Sequence, residues 1–316
     1  MAIDARVTLG TARASRGDLE GGLAQLRQAI ADAQSGGHGS VELRALNNLA
    51  WTMVSDDPRA TSETARRGLE LAERLGIREM ALQLLDIATI VAIDTGDWDW
   101  AVAALEQASG DELPTTHRLD FAATRTILNA LRGVPDPTGP IDSQGALEPD
   151  LDPEALGWVD HARALVAMVG GDLPRALELA RVAAGRTRGF ERSAVLAVAG
   201  RVGAWSGRVD AASEALAELE AEQAWGRAVE ASRHTLRAAV AAATAAGGNG
   251  PGLEDAEREW THALDGWRQL DLPLRRGLCH LDRWVLAGSE EDHAAAIEIF
   301  ERLGATPLTT LDPRPR

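Results

Sequence analysis

Lysine and tyrosine are absent from the 316 residues, and cysteine occurs once. Each gap narrows the function. Without lysine, no G-x-x-x-x-G-K-[ST] phosphate loop can form. The lone Cys279 admits no internal disulfide, which agrees with a reducing compartment. It reads as a small buried apolar residue rather than a nucleophile. The aromatics are nine Trp and three Phe. Basic excess is missing too: the formal net charge is -16, whereas a nucleic-acid surface needs a basic patch to displace counterions. No direct nucleic-acid binding is expected. The longest apolar stretches, such as Ile87 to Ile93, are too short to span a bilayer. Met1 to Gly17 has no apolar core of signal-peptide type. A cytoplasmic protein without membrane contact is the expectation.

Catalytic constellations are lacking as well. No histidine pair has the spacing H-x-x-x-H or H-E-x-x-H that a helix uses for zinc. No G-x-S-x-G elbow is present. The glycine loop 247–252 has neither the Lys nor the Ser/Thr of a phosphate loop and reads as a helix connector. The expectation is a non-enzyme with no cofactor and no metal.

What is abundant is helix signal. Apolar residues recur at three and four, in stretches of Ala, Leu, Glu and Arg, and strand signals are nearly missing. Helices are expected at about 2–15, 19–34, 39–54, 59–74, 77–94, 98–109 and 115–132. After a gap they resume at about 154–169, 173–186, 190–205, 209–222, 224–246, 253–269, 273–287 and 290–303. The gap holds Pro135, Pro137, Pro140, Pro149 and Pro153, which exclude a regular helix. The expected organisation is an array over 1–132, a proline-rich loop or linker over 133–153, a second array over 154–305 and a frayed tail over 306–316.

A dipeptide sets the register. Gly-Asp occurs at Gly17-Asp18, Gly96-Asp97 and Gly171-Asp172, with a variant at Gly207-Arg208. Five residues after each glycine stand Gly22, Ala101, Ala176 and Ala212. Nine after stand Leu26, Leu105, Ala180 and Leu216; twelve after stand Ala29, Ala108, Ala183 and, breaking the rule, Leu219. Steps of four and three share one helical face. Small residues there let a neighbouring helix come close. The glycine ends one helix in a left-handed turn, and the aspartate caps the next. Such helix pairs bury a continuous core only by stacking.

This pattern resembles the tetratricopeptide repeat. Gly17 through Ile30 is similar to the second half of that repeat, and Leu46-Asn47-Asn48-Leu49-Ala50 to its first helix. The runs Thr8 to Ala33, Gly68 to Gly76 and Ile299 to Pro307 resemble the helical region of MalT-like and LuxR-type ATP-binding regulators and of nucleotide-cyclase/ATPase fusions. The resemblance implies an all-α, right-handed superhelix of about eight helix pairs. It implies a non-catalytic scaffold that binds a protein, a peptide or a small effector on its concave face. The alternative is a sensor fragment of a signal-responsive regulator or cyclase, packed against NTPase or DNA-binding domains. In this family first helices line the concave face. Asn47, Trp51, Arg125, Asn129 and His161 are therefore candidate partner contacts, and Trp100 is added as an exposed aromatic.

Overall fold

The computed structural model describes residues 2–108, 113–144, 152–246 and 252–314. Among them the secondary structure is helical throughout: sixteen α-helices and one 3-10 turn. The chain forms two compact units. Unit 1 comprises Met1–Ser109 with Trp225–Ala228, and unit 2 comprises Gly110–Ala224 with Val229–Arg316.

Unit 1 is built from α1 (Ala2–Ala14), α2 (Leu19–Ser35), α3 (Gly39–Met53), α4 (Pro58–Leu75), α5 (Arg78–Thr95) and α6 (Trp98–Ala108). Each helix packs on the next, and α1 also meets α3, as α3 meets α5. This is how helix pairs that cannot hide an apolar face alone share a core. The turns follow the local chemistry. Gly17 and Gly96 adopt φ of 93° and 86°, a region other residues enter poorly. Asp18 then accepts the N–H of Gly21, and Asp57 that of Ala60, with Pro58 opening α4. Gly22 faces α1 so closely that a Cβ there would stand 2.7 Å from the Gly10 carbonyl oxygen. Leu26, Ala29, Leu46 and Ala65 belong to the core of this unit, none more than 1 % exposed.

Unit 2 contains α7 (Thr115–Arg132), α8 (Gly139–Asp142), α9 (Pro153–Val169), α10 (Leu173–Ala184), α11 (Gly189–Trp205), α12 (Val209–Ala221), α13 (Arg227–Ala246, its first two residues counted with unit 1), α14 (Gly252–Gln269), α15 (Pro273–Ala287) and α16 (Glu290–Leu303). The proline-rich stretch is shorter on helix than its neighbours but not devoid of it. The four-residue α8 packs on α7 through the buried Ile141. Residues 145–151 of that stretch, the connector 247–251 and residues 315–316 lie outside the described residues.

The tail departs from expectation. Rather than fraying, Thr306–Thr309 form a 3-10 turn that packs on α7. Leu308 is buried there, and Pro307 lies 3.1 Å from where a Cβ on Gly133 would be. The last element of unit 2 thus meets its first helix.

The register holds in the first and third copies; in the second Ala101 and Leu105 are buried but Ala108 is only half-buried, and in the fourth it shifts. Ala101, Ala176 and Ala212 are all fully buried, as are Leu26, Ala180, Ala29 and Ala183. In α12, however, Ala215 is buried and Leu216 is only half-buried, with Leu219 taking the final core position. The spacing there is three and then four, which explains why the rule breaks at Leu219.

Candidate interaction sites

The expected contact residues divide sharply by environment. In unit 1, α1 and α3 present a polar face. Arg44 pairs with Asp4 and donates to the Thr8 hydroxyl at 2.7 Å. One turn on, Asn48 Nδ2 donates to Thr11 Oγ1 at 3.1 Å. Asn47, by contrast, is half-buried and keeps an inaccessible Oδ1 with no hydrogen-bond partner. Trp51 follows at the next helical step from Asn47 and Asn48, with 47 % of its surface exposed.

Trp100 is not an exposed contact. It is half-buried against the core of unit 1, with the Arg66 guanidinium 3.8 Å from its ring centroid. Arg66 in turn reaches Asp97 Oδ2 at 2.9 Å. The aspartate of the turn, the arginine and the tryptophan therefore form a stacked structural cluster, in which the cation lies over the ring face. Trp98 is deeper still, its indole N–H donating to the Ile93 carbonyl at 2.9 Å.

In unit 2, α11, α13, α14 and α15 enclose a filled interior. Arg201 of α11 and Asp282 of α15 form a bidentate pair, Nε to Oδ1 at 2.8 Å and Nη2 to Oδ2 at 2.9 Å. Trp267 donates to Thr235 Oγ1 at 3.0 Å beside them. The gap lined by Arg201, Thr235, Trp267, Arg275 and Asp282 amounts to about 10 Å³, room for a single water at most. His161, expected as a groove contact, is 3 % exposed and stacks on Trp158 at 4.8 Å. Its Nδ1 has no hydrogen-bond partner. Burial, helped by the charge of Arg275, lowers its pKa to about 3. It is a neutral core imidazole, and the charge it would need to grip an anion is denied by desolvation. Arg125 and Asn129 are half-buried on α7. Cys279 is buried, and burial pushes its thiol up, so no thiolate is offered to solvent.

Two carboxylates stand out at the start of the same helices. Burial raises Asp120 of α7 to about 7, with Asp152 adding to the shift. Burial also raises Glu191 of α11 to about 8, with Asp120, Glu154 and Asp152 adding like charge. Among the described residues no group of three His, Cys, Asp or Glu is placed to hold a metal ion, and no helix is long and apolar enough to cross a membrane.

Sequence reasoning missed three features. One is the Arg201–Asp282 pair, whose partners lie too far apart in the chain for any local spacing to join them. Another is an open groove of about 580 Å³ beside α10, lined by Leu177, Arg181, Val182 and Arg208. The outward-facing Val182, 43 % exposed among charged neighbours, was its only signal. The third is the placement of Trp225–Ala228 with unit 1.

Neither the protein-family models nor the curated proteins contain a match to this chain.

Proposed function

We propose that the chain is a non-catalytic scaffold of tetratricopeptide-like helix pairs, and that unit 1 binds a protein or peptide partner across the face of α1 and α3. The observation that carries this reading is Trp51, which leaves 47 % of its surface in water on a face that also bears the side-chain hydrogen bonds of Arg44 and Asn48. Covering the exposed part of such a ring is worth about 3 kcal/mol at most, and tryptophans of this kind are the usual anchors of an interface. Asp4, Thr8, Arg44 and Asn48 supply a polar rim whose geometry is preset by their own pairing, so little side-chain entropy is lost on binding. The interior of unit 2 serves a different purpose in this reading. Its first helices hold each other, and the candidate contact His161 belongs to that packing.

The test is partner capture from a lysate of the source cells with immobilised wild-type and Trp51→Ala chains, followed by mass spectrometry. A defined protein retained by the wild type and lost from Trp51→Ala, with an unchanged thermal melt, is the expected result. A retained set that is identical for both chains contradicts the assignment of this face.

A further inference from the structure

The segment Trp225-Gly226-Arg227-Ala228 is bound to unit 1 in the way a short peptide is bound by a receptor. Its three leading residues are each read by a different device. The Trp225 ring lies 3.7 Å from the position a Cβ on Gly17 would take, so it rests on the bare α1–α2 turn. Gly226 has φ of 135°, and a side chain there would collide with the Ser55 carbonyl oxygen. Arg227 meets two carboxylates. Its Nε reaches Asp56 Oδ1 at 3.1 Å and its Nη2 reaches Asp56 Oδ2 at 3.2 Å and Asp57 Oδ2 at 2.9 Å. The backbone adds two bonds, Arg227 N–H to Asp56 Oδ1 and Ala228 N–H to the Ser55 carbonyl, both at 3.1 Å.

The receptor side is also held by contacts that do not involve this segment. Asp57 uses Oδ1 to cap α4 at Ala60, which leaves Oδ2 fixed toward the arginine. Asp56 follows α3 in the same tight turn, its N–H held by the Met53 carbonyl. The occupant, in contrast, is only partly sheltered. Trp225 is 49 % exposed and the Arg227 side chain 57 %, and half-exposed ion pairs hold weakly. A planar guanidinium gripped by two carboxylates is a geometry that arginine alone among side chains satisfies. Trp51 stands one helical turn before Ser55, so the same end of α3 offers an aromatic surface beside the acidic one.

We propose that the paired turns 15–18 and 54–57 are a recognition site for a peptide bearing Trp-Gly-Arg, filled in cis by residues 225–227 and available to a partner polypeptide that carries the same motif. This rests on the reading of unit 1 as a partner-binding scaffold and names the chemistry of one such partner. The cis segment competes at the high effective concentration of a tethered ligand, so an added peptide meets a site that is mostly occupied.

The experiment titrates a fluorescein-labelled Ala-Trp-Gly-Arg-Ala peptide with the full chain and follows anisotropy. Three variants are compared with the wild type: Arg227→Ala, Gly226→Ala and the double variant Arg227→Ala/Asp56→Asn. Releasing the cis segment by either single change is expected to tighten peptide binding roughly tenfold or more, because the competent fraction rises. Adding Asp56→Asn is expected to remove at least as much, while leaving the Asp57 cap and the helical circular dichroism in place. Single variants that bind no tighter than the wild type overturn the proposal. So does an affinity indifferent to Asp56→Asn. Partner capture that depends on Trp51 without any peptide binding overturns this site and leaves the scaffold reading standing; peptide binding without such capture supports the site and counts against the α1–α3 face.

Discussion

Arg201 and Asp282 hold each other in a bidentate pair from which solvent is almost excluded, with side-chain exposures of 5 % and 1 %. The pair joins α11 directly to α15, so it cross-links helices four apart in the order of unit 2. Burial pushes the Asp282 carboxyl up, against the charge and hydrogen bonds of Arg201. Such a pair is a weak source of net stability, because both ions are desolvated, but an orphaned half is costly. Arg201→Met alone should therefore destabilise unit 2 by about 3–5 kcal/mol. The double variant Arg201→Met/Asp282→Leu should recover most of the loss. Urea unfolding of the single and double variants measures both. Two losses that simply add would mean the residues do not act as a pair.

Stability should fall as pH rises from about 6.5 to about 8. The sign follows from the raised carboxyls of Asp120, to about 7, and Glu191, to about 8. Their unfolded values lie near 4. Between those limits the folded chain binds more protons than the unfolded chain, so raising the pH favours unfolding. Below about pH 6.5 the buried His161 works in the opposite sense. Its folded pKa of about 3 means that the unfolded chain takes the proton first, so stability is lost as pH falls. The clean window is therefore above the ordinary histidine value. Glu191→Gln should flatten the decline between pH 6.5 and 8 in urea midpoints; an undiminished slope in that variant would remove Glu191 as its source.

The close approach of neighbouring helices gives a third expectation. Ala176 is fully buried, so Ala176→Leu should cost roughly 1–3 kcal/mol by overpacking. Gly22→Ala should also destabilise despite alanine's better helix propensity, because the new Cβ would press on the Gly10 carbonyl oxygen at 2.7 Å. A backbone atom cannot swing aside as a side chain can. Thermal melts of the two variants decide the matter, and wild-type stability in both would mean the faces are misassigned.

Trp100 and Trp51 should separate cleanly in behaviour. Trp100 is stacked under Arg66 and packed on the core, so Trp100→Ala should lower the melting temperature and leave partner capture by the folded fraction intact. Truncating a buried aromatic of this size costs up to about 3–5 kcal/mol, and less where the ring is only half-buried. Trp51→Ala should do the reverse.

The helices were legible in the sequence because each one carries its own punctuation. The expected helix at 115–132 is observed as Thr115–Arg132, and the one at 59–74 as Pro58–Leu75. Gly17, Gly96, Gly171 and Gly207 all take the left-handed conformation that the recurring dipeptide requires, and Asp18 and Asp172 cap the helices that follow. The misses arise where the deciding partner is distant in sequence. The helix expected from 224 begins at Arg227 because Trp225 and Gly226 are held by turns near Gly17 and Ser55. The tail is ordered because α7 receives it. His161 looked like a groove residue because helical spacing gives the face of a side chain, not whether another helix covers that face. Trp51 is exposed because Leu46, Leu49, Ala50 and Met53 occupy the buried side of α3.

The most direct measurement places a photocrosslinking amino acid at position 51, and for comparison at position 161, in the full chain inside the source cells. A partner bound across α1 and α3 should give a discrete adduct from position 51 on irradiation and none from the buried position 161. Adducts absent from position 51, with a partner still captured by the wild-type chain, would contradict the assignment of the interaction face to unit 1.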